Sequence, residues 1–77
     1  MDHWEVTMLD NILETMRAGG WTQAMLTRET GLSKSMVNHL LNGNRRFTVR
    51  TLLTFADTLE VPLDHLLRKT DGKYISK

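Results

Sequence analysis

The chain has 77 residues and no cysteine, which allows one compact domain, excludes disulfides and thiolate metal sites, and leaves little room for a buried catalytic cleft. No apolar run approaches the roughly 18 residues of a membrane span and the N-terminus lacks a basic-then-apolar signal, so we expect a soluble, cytoplasmic protein. The net charge of +1 conceals a segregation, because residues 1–33 hold five acids against two bases whereas residues 34–50 hold four bases and no acid.

The first predicted helix covers about residues 4–18. Gly19 and Gly20 follow it, and glycine commonly ends a helix by adopting a positive φ. The apolar residues of this helix recur at helical spacing, as Leu9, Ile12, Leu13 and Met16.

Three further helices are predicted by a recurring helix-entry signature, in which an apolar residue precedes Ser or Thr and a second apolar residue follows four positions later. It occurs as Trp21-Thr22…Leu26, Leu32-Ser33…Val37 and Phe47-Thr48…Leu52. The hydroxyl can accept a hydrogen bond from a backbone N–H of the first turn, and the flanking apolar residues can pack as a hydrophobic staple. The signature predicts helices at about 23–30, 34–41 and 49–59, with Gly31 and Gly43 as stops.

A fifth helix is predicted at about 62–68, because Pro62 suits a first turn. The predicted core residues of the last two helices are Val49, Leu52, Leu53, Ala56 and Leu59, then Leu63, Leu66 and Leu67. Strand alternation is weak and confined to residues 73–76. We therefore predict an all-α, five-helix bundle that forms a single domain over residues 1–77, with its core at about 7–67 and a tail at 68–77.

Only three residues, Gly31, Leu32 and Ser33, join the second and third predicted helices. A link this short forces a sharp crossing of two short helices, which is the helix-turn-helix arrangement. The second helix of such a pair protrudes, and a protruding helix fits the DNA major groove.

The motif continues along most of the chain. Its residues are Thr22, Gln23, Leu26, Gly31, Leu32, Ser33, Val37, Leu40 and Gly43, followed by Arg45, Arg46, Thr51, Leu52, Leu53, Ala56, Asp57, Leu59, Val61, Leu63, Asp64, Leu66 and Leu67. At this spacing, roughly residues 7–67 resemble the Xre/Cro-type helix-turn-helix family. The resemblance implies the lambda-repressor-like fold.

Four positions depart from the family pattern. Thr27 replaces a small alanine and Glu60 replaces a common glycine. Met16 and Leu41 stand where the family often has an Arg–Glu pair. Because an apolar pair replaces a buried ion pair at little cost, we expect Met16 and Leu41 to be in contact.

The recognition helix normally reads bases through its first turn and outward face. The predicted base-contacting residues are Lys34, Ser35, Asn38 and His39. The resemblance most directly implies Lys34, Ser35 and His39, whereas Asn38 follows from helical geometry. Lys34 can donate to guanine and Asn38 can pair with adenine.

Phosphate contacts are predicted at the start of the second helix and in the loop after the recognition helix. The residues are Gln23, Asn44, Arg45, Arg46, Thr48 and Arg50. Gln23 resembles the family's phosphate-contacting glutamine. Arg50 is included because a cation near a helix N-terminus is unfavourable for the helix dipole. Helix stability alone therefore does not explain this arginine, and a phosphate contact would.

The resemblance implies a sequence-specific regulator of transcription that binds double-stranded DNA, most simply a repressor acting as a homodimer on a (pseudo)palindromic operator. The predicted dimer surface comprises Leu63, Leu66, Leu67 and Tyr74. The alternative is an antitoxin or other protein-interaction module of the same fold, with a partner such as a toxin on its acidic N-terminal helix.

No constellation of residues supports an enzyme, and no cofactor is implied. The histidines His3, His39 and His65 are too dispersed to predict a metal site.

Overall fold

A computed structural model describes residues 3–68 and contains five α-helices. They are α1 (His3–Gly19), α2 (Gln23–Thr30), α3 (Lys34–Leu41), α4 (Val49–Leu59) and α5 (Leu63–Leu67). The bounds predicted for α2, α3 and α4 are confirmed. The described part of the chain has no strand, so the predicted all-α class is also confirmed. Residues 73–76 lie outside the described range.

α5 begins one residue later than predicted. Pro62 has φ −69° and ψ 151°, which places it at the N-cap in extended conformation and not in the first turn. A prolyl ring fixes φ but leaves ψ open, so the same residue can precede a helix or begin one.

Each of the three helix-entry signatures forms the predicted cap. The hydroxyls of Thr22, Ser33 and Thr48 accept from the backbone N–H three residues later, at 3.1, 3.0 and 3.1 Å. The apolar residues before the caps, Trp21, Leu32 and Phe47, pack against the core, and those four positions after the caps, Leu26, Val37 and Leu52, are buried within it. Local sequence therefore determines where α2, α3 and α4 begin.

Residues at positive φ end α1, α2 and α4, and another follows the C-cap of α3. Gly20, Gly31 and Gly43 have φ of 72°, 78° and 77°. At the end of α4 the same conformation is taken by Glu60, at φ 60°, where its N–H donates to Asp57 O at 3.1 Å. A side chain at positive φ crowds the backbone, so Glu60 costs stability that glycine would not.

Replacing Glu60 with glycine should raise the free energy of unfolding by about 0.5–1 kcal/mol, because glycine removes the steric cost of positive φ. Urea denaturation measures the change. The matched control is Glu60→Ala, which removes the same charge but retains a Cβ and should give no comparable gain. Equal stabilisation by both variants would mean that the charge, and not the backbone conformation, limits stability here.

The core draws side chains from all five helices: Met8, Ile12, Met16, Leu26, Val37, Leu40, Leu41, Leu52, Phe55, Ala56, Leu59 and Leu66. Four predicted core residues are wrong: Leu13, Val49, Leu53 and Leu67 are exposed. Phe55, which the pattern did not single out, is completely buried and contacts the Phe47 ring edge-to-face at 5.1 Å. Met16 and Leu41 both belong to the core, and their direct contact stays a prediction.

The helices close into one bundle because α1 packs against α5, α2 packs against α3 and α4, and α4 packs against α5. Asn11, buried in α1, links this helix to the C-terminal end of α5. Its Nδ2 donates to the carbonyl oxygens of Leu66 at 2.9 Å and Arg68 at 2.6 Å.

Within residues 3–68, no helix is both long enough and apolar enough to cross a bilayer.

Candidate nucleic-acid interface

The turn between α2 and α3 is fixed by hydrogen bonds on both sides. Gly31 donates its N–H to Thr27 O at 3.2 Å and ends α2 in the left-handed conformation. Thr30 Oγ1 donates to Leu26 O at 2.7 Å and accepts from Leu32 N at 3.2 Å, a bridging role that the sequence did not reveal. Leu32 packs against the core and Ser33 caps α3, so the predicted helix-turn-helix is present.

α3 has one buried and one exposed face. Val37, Leu40 and Leu41 are buried, which fixes the rotation of the helix about its axis. The four residues predicted to contact bases, Lys34, Ser35, Asn38 and His39, are all exposed. Asn38 Oδ1 accepts a hydrogen bond from Asn42 Nδ2 at 3.0 Å, so its amide is oriented along the helix.

A shallow groove of about 220 Å³ lies between the starts of α2 and α3. It is lined by Gln23, Ala24, Thr27 and Lys34. The fold thereby brings Gln23, a predicted phosphate contact, next to Lys34, a predicted base contact. Thr27 Oγ1 donates to Gln23 O at 3.0 Å, which satisfies the hydroxyl that replaces the family's alanine.

The loop between α3 and α4 presents the predicted phosphate-contacting residues at the surface. Asn44, Arg45, Arg46, Thr48 and Arg50 are all exposed. Thr48 has a structural role as well, because it forms a capping box: its N–H donates to Thr51 Oγ1 at 2.8 Å, and its own hydroxyl accepts from Thr51 N. Gly43 turns the chain into this loop, and Asn44 N–H donates to His39 O at 2.9 Å.

Arg46 is bound to an acid that sequence analysis did not connect with it. Its guanidinium donates from Nε and Nη2 to the two carboxylate oxygens of Glu5, at 3.0 and 3.1 Å. Glu5 lies in the first turn of α1, where an acid is ordinary because it complements the helix dipole. The two residues are 41 positions apart, and neither spacing nor periodicity signals the pair.

The predicted dimer surface needs one correction. Leu66 is 0% exposed and belongs to the core of its own chain, so it has no surface to offer a second copy. A buried apolar residue at helical spacing looks the same in sequence whether its own chain or a partner covers it. Leu63 is partly buried against the core and Leu67 is exposed. Tyr74 lies outside the described residues.

Comparison with known proteins assigns the domain independently of this geometry. A family model described as helix-turn-helix matches residues 12–66, which is most of the chain and spans every element of the predicted interface. No curated protein and no solved structure matches the chain. The matched family consists of DNA-binding regulators. The chain therefore belongs to the Xre/lambda-repressor-like helix-turn-helix family.

Proposed function

We propose that this protein is a sequence-specific regulator of transcription that binds double-stranded DNA, and most simply a repressor that blocks a promoter in the cytoplasm. The observation that carries the proposal is the exposed face of α3, which is oriented by its buried face and followed at once by a basic loop. A protruding helix with polar side chains fits the major groove, and cations beside it suit the flanking phosphates.

In this proposal the two sets of residues have different tasks. Lys34, Ser35, Asn38 and His39 read base edges, with Lys34 donating to guanine O6 and N7. Gln23, Asn44, Arg45, Arg46, Thr48 and Arg50 contact phosphates and so determine position and salt dependence. Gln23 and Lys34 line the same groove, which supports the proposal that members of both sets contact one stretch of DNA.

We further propose that the protein binds as a homodimer to a (pseudo)palindromic operator, because one small domain makes few phosphate contacts. Two recognition helices would then read half-sites about one DNA turn, roughly 34 Å, apart. Leu63, Leu67 and Tyr74 remain the proposed dimer residues. Selection of bound sites from random DNA tests the dimer, since it should enrich two inverted half-sites at fixed spacing. Enrichment of a single unpaired half-site would contradict it.

A second candidate is a protein-interaction module, such as an antitoxin, that binds its partner through α1. Two large apolar side chains of α1, Trp4 and Val6, are exposed, and the same helix carries the exposed acids Asp10 and Glu14. Exposed apolar and acidic side chains on one helix are the features that support a protein partner there. In this candidate DNA binding is secondary.

Lys34→Ala and Arg45→Ala should affect DNA binding in different ways. Lys34→Ala should cost about 1–3 kcal/mol on the preferred site and little on other sequences, because it removes a base contact. Arg45→Ala should weaken binding to all sequences alike and reduce the slope of log K against log salt by about one. Fluorescence anisotropy over a salt series, with the selected duplex and a scrambled duplex, measures both effects.

Two results would count against the proposal. Unchanged sequence preference in Lys34→Ala would show that α3 does not read bases as assigned. Binding that is insensitive to salt would show that the cations of the loop do not contact phosphates. Arg45 is the better probe of the loop because substitution of Arg46 also breaks its ion pair with the buried Glu5.

A further inference from the structure

The ion pair between Glu5 and Arg46 joins the first turn of α1 to the loop that follows α3. Its two hydrogen bonds, of 3.0 and 3.1 Å, run from Nε and Nη2, on one edge of the guanidinium, to the two oxygens of one carboxylate. The Glu5 side chain is 5% exposed and the Arg46 side chain is 71% exposed. The acid therefore lies inside the fold, and the base lies at the surface in the proposed phosphate-contacting loop.

The surroundings of Glu5 explain why Arg46 is held there. Glu5 lines a small cavity whose other walls are the apolar residues Met8, Leu9, Leu40 and Phe47 and the two arginines of the loop, Arg45 and Arg46. A carboxylate among apolar groups is costly unless it is paired with a cation and hydrogen-bonded. The two parallel hydrogen bonds satisfy the carboxylate, and they also fix the plane of the guanidinium.

Stability alone does not account for such a pair. An apolar residue in place of the buried carboxylate would avoid its desolvation cost, and replacing even a fully buried ion pair with apolar residues of similar volume is often neutral or stabilising. This chain has apolar residues, Met16 and Leu41, at the two core positions where its family often has an ion pair. The pair of Glu5 and Arg46 fixes instead the direction of a long side chain that otherwise has many rotamers.

A fixed guanidinium is an advantage for binding a phosphate. Ordering a flexible side chain during binding costs conformational entropy, and a side chain ordered in advance avoids that cost. A guanidinium has five N–H donors in a rigid fork, so it can donate to a carboxylate and to a phosphate at the same time.

We propose that Glu5 is a positioning residue for DNA binding: it holds the Arg46 guanidinium in the orientation that receives a phosphate. This inference rests on the proposed DNA-binding function. Glu5 precedes residues 12–66, which match the family model, so the N-terminal turn of α1 contributes to the interface from outside the matched segment.

Glu5→Gln tests the inference because positioning and simple electrostatics predict opposite signs. Removing a negative charge close to a phosphate should strengthen binding if charge alone matters. We expect binding to weaken roughly tenfold, because glutamine cannot accept the two charge-assisted hydrogen bonds that orient Arg46. The matched control is Glu14→Gln, which removes an acid from the exposed surface of α1, where it pairs with Arg17. The control should bind as tightly as the wild type or slightly more tightly.

Arg46→Lys provides a second test, because lysine keeps the positive charge but lacks the planar guanidinium with its paired N–H donors. It should weaken binding about as much as Glu5→Gln. The double variant Glu5→Gln/Arg46→Lys should bind no more weakly than either single variant, because both act through one contact. Affinities are measured on a duplex of about 30 base pairs enriched from random DNA, which accommodates two half-sites. Circular dichroism at the same temperature establishes that each variant is folded, so that loss of stability does not alter the result.

Two outcomes would overturn the inference while leaving DNA binding intact. One is equal or tighter binding by Glu5→Gln, and the other is an additive loss in the double variant. Failure of the wild-type chain to bind any DNA would instead overturn the proposed function itself.

Discussion

Replacing Phe55 with alanine should lower the free energy of unfolding by roughly 3–5 kcal/mol, the range for removing a large aromatic side chain from a core. Phe55 is completely buried, and its ring contacts Phe47 edge-to-face, so both the cavity and the lost aromatic contact contribute. A domain of this size has a stability on the order of 5–10 kcal/mol. Urea denaturation should therefore show a variant that is close to its folding limit.

The control for Phe55 is Leu53→Ala, two residues earlier on the opposite face of α4. The Leu53 residue is 48% exposed, so its truncation should change stability by only about 0.5 kcal/mol. The comparison also tests the rotation of α4 about its axis. Similar losses in both variants would mean that Leu53, and not Phe55 alone, faces the core.

Replacing Asn11 with aspartate should cost roughly 2–4 kcal/mol, because one change removes two hydrogen bonds and places a carboxylate against two carbonyl oxygens. Asn11 Nδ2 is the donor to both Leu66 O and Arg68 O. Aspartate has nearly the same shape but no N–H to donate. A buried carbonyl left without a donor costs about 1–3 kcal/mol, and a buried unpaired charge costs more.

The matched control is Asn38→Asp, the same chemical change on the exposed face of α3. Its Oδ1 already acts as an acceptor, so aspartate can keep the hydrogen bond from Asn42 Nδ2. Thermal unfolding followed by circular dichroism should show a large loss for the variant at position 11 and almost none for the control. Equal effects would show that the Asn11 amide does not hold the end of α5.

The parts of the fold that were predicted correctly depend on neighbours in sequence. Thr22, Ser33 and Thr48 each bond to a backbone N–H three residues away, so the sequence alone contains both partners. Gly31, which ends α2, likewise bonds to a near neighbour, because its N–H donates to Thr27 O four residues earlier. The exposed face of α3 could also be predicted, because the positions of the apolar residues Val37, Leu40 and Leu41 determine which residues point outward.

The parts that were missed depend on pairs far apart in sequence. Asn11 meets Leu66 across 55 positions, and Glu5 meets Arg46 across 41. No local pattern identifies such partners. Apolar spacing also left the rotation of α4 undetermined by about one residue, because Leu52 fits a helical stripe either with Leu53 and Ala56 or with Phe55 and Leu59. Tertiary contact with Phe47 selects Phe55 for the core.

The ion pair of Glu5 and Arg46 has a consequence for the kinetics of the proposed DNA complex. The charges of Glu5 and Arg46 are opposite and about 3 Å apart, so their fields largely cancel at distances much greater than that separation. Salt screens what remains, with a Debye length of about 8 Å at physiological ionic strength. Arg46 therefore adds little to the long-range attraction that accelerates diffusional encounter, which is left to Lys34, Arg45 and Arg50. Its influence begins once the loop is within hydrogen-bonding distance of the duplex. We therefore expect substitution of Arg46 to change mainly the dissociation rate of the proposed complex, and substitution of the other three cations to change mainly its association rate.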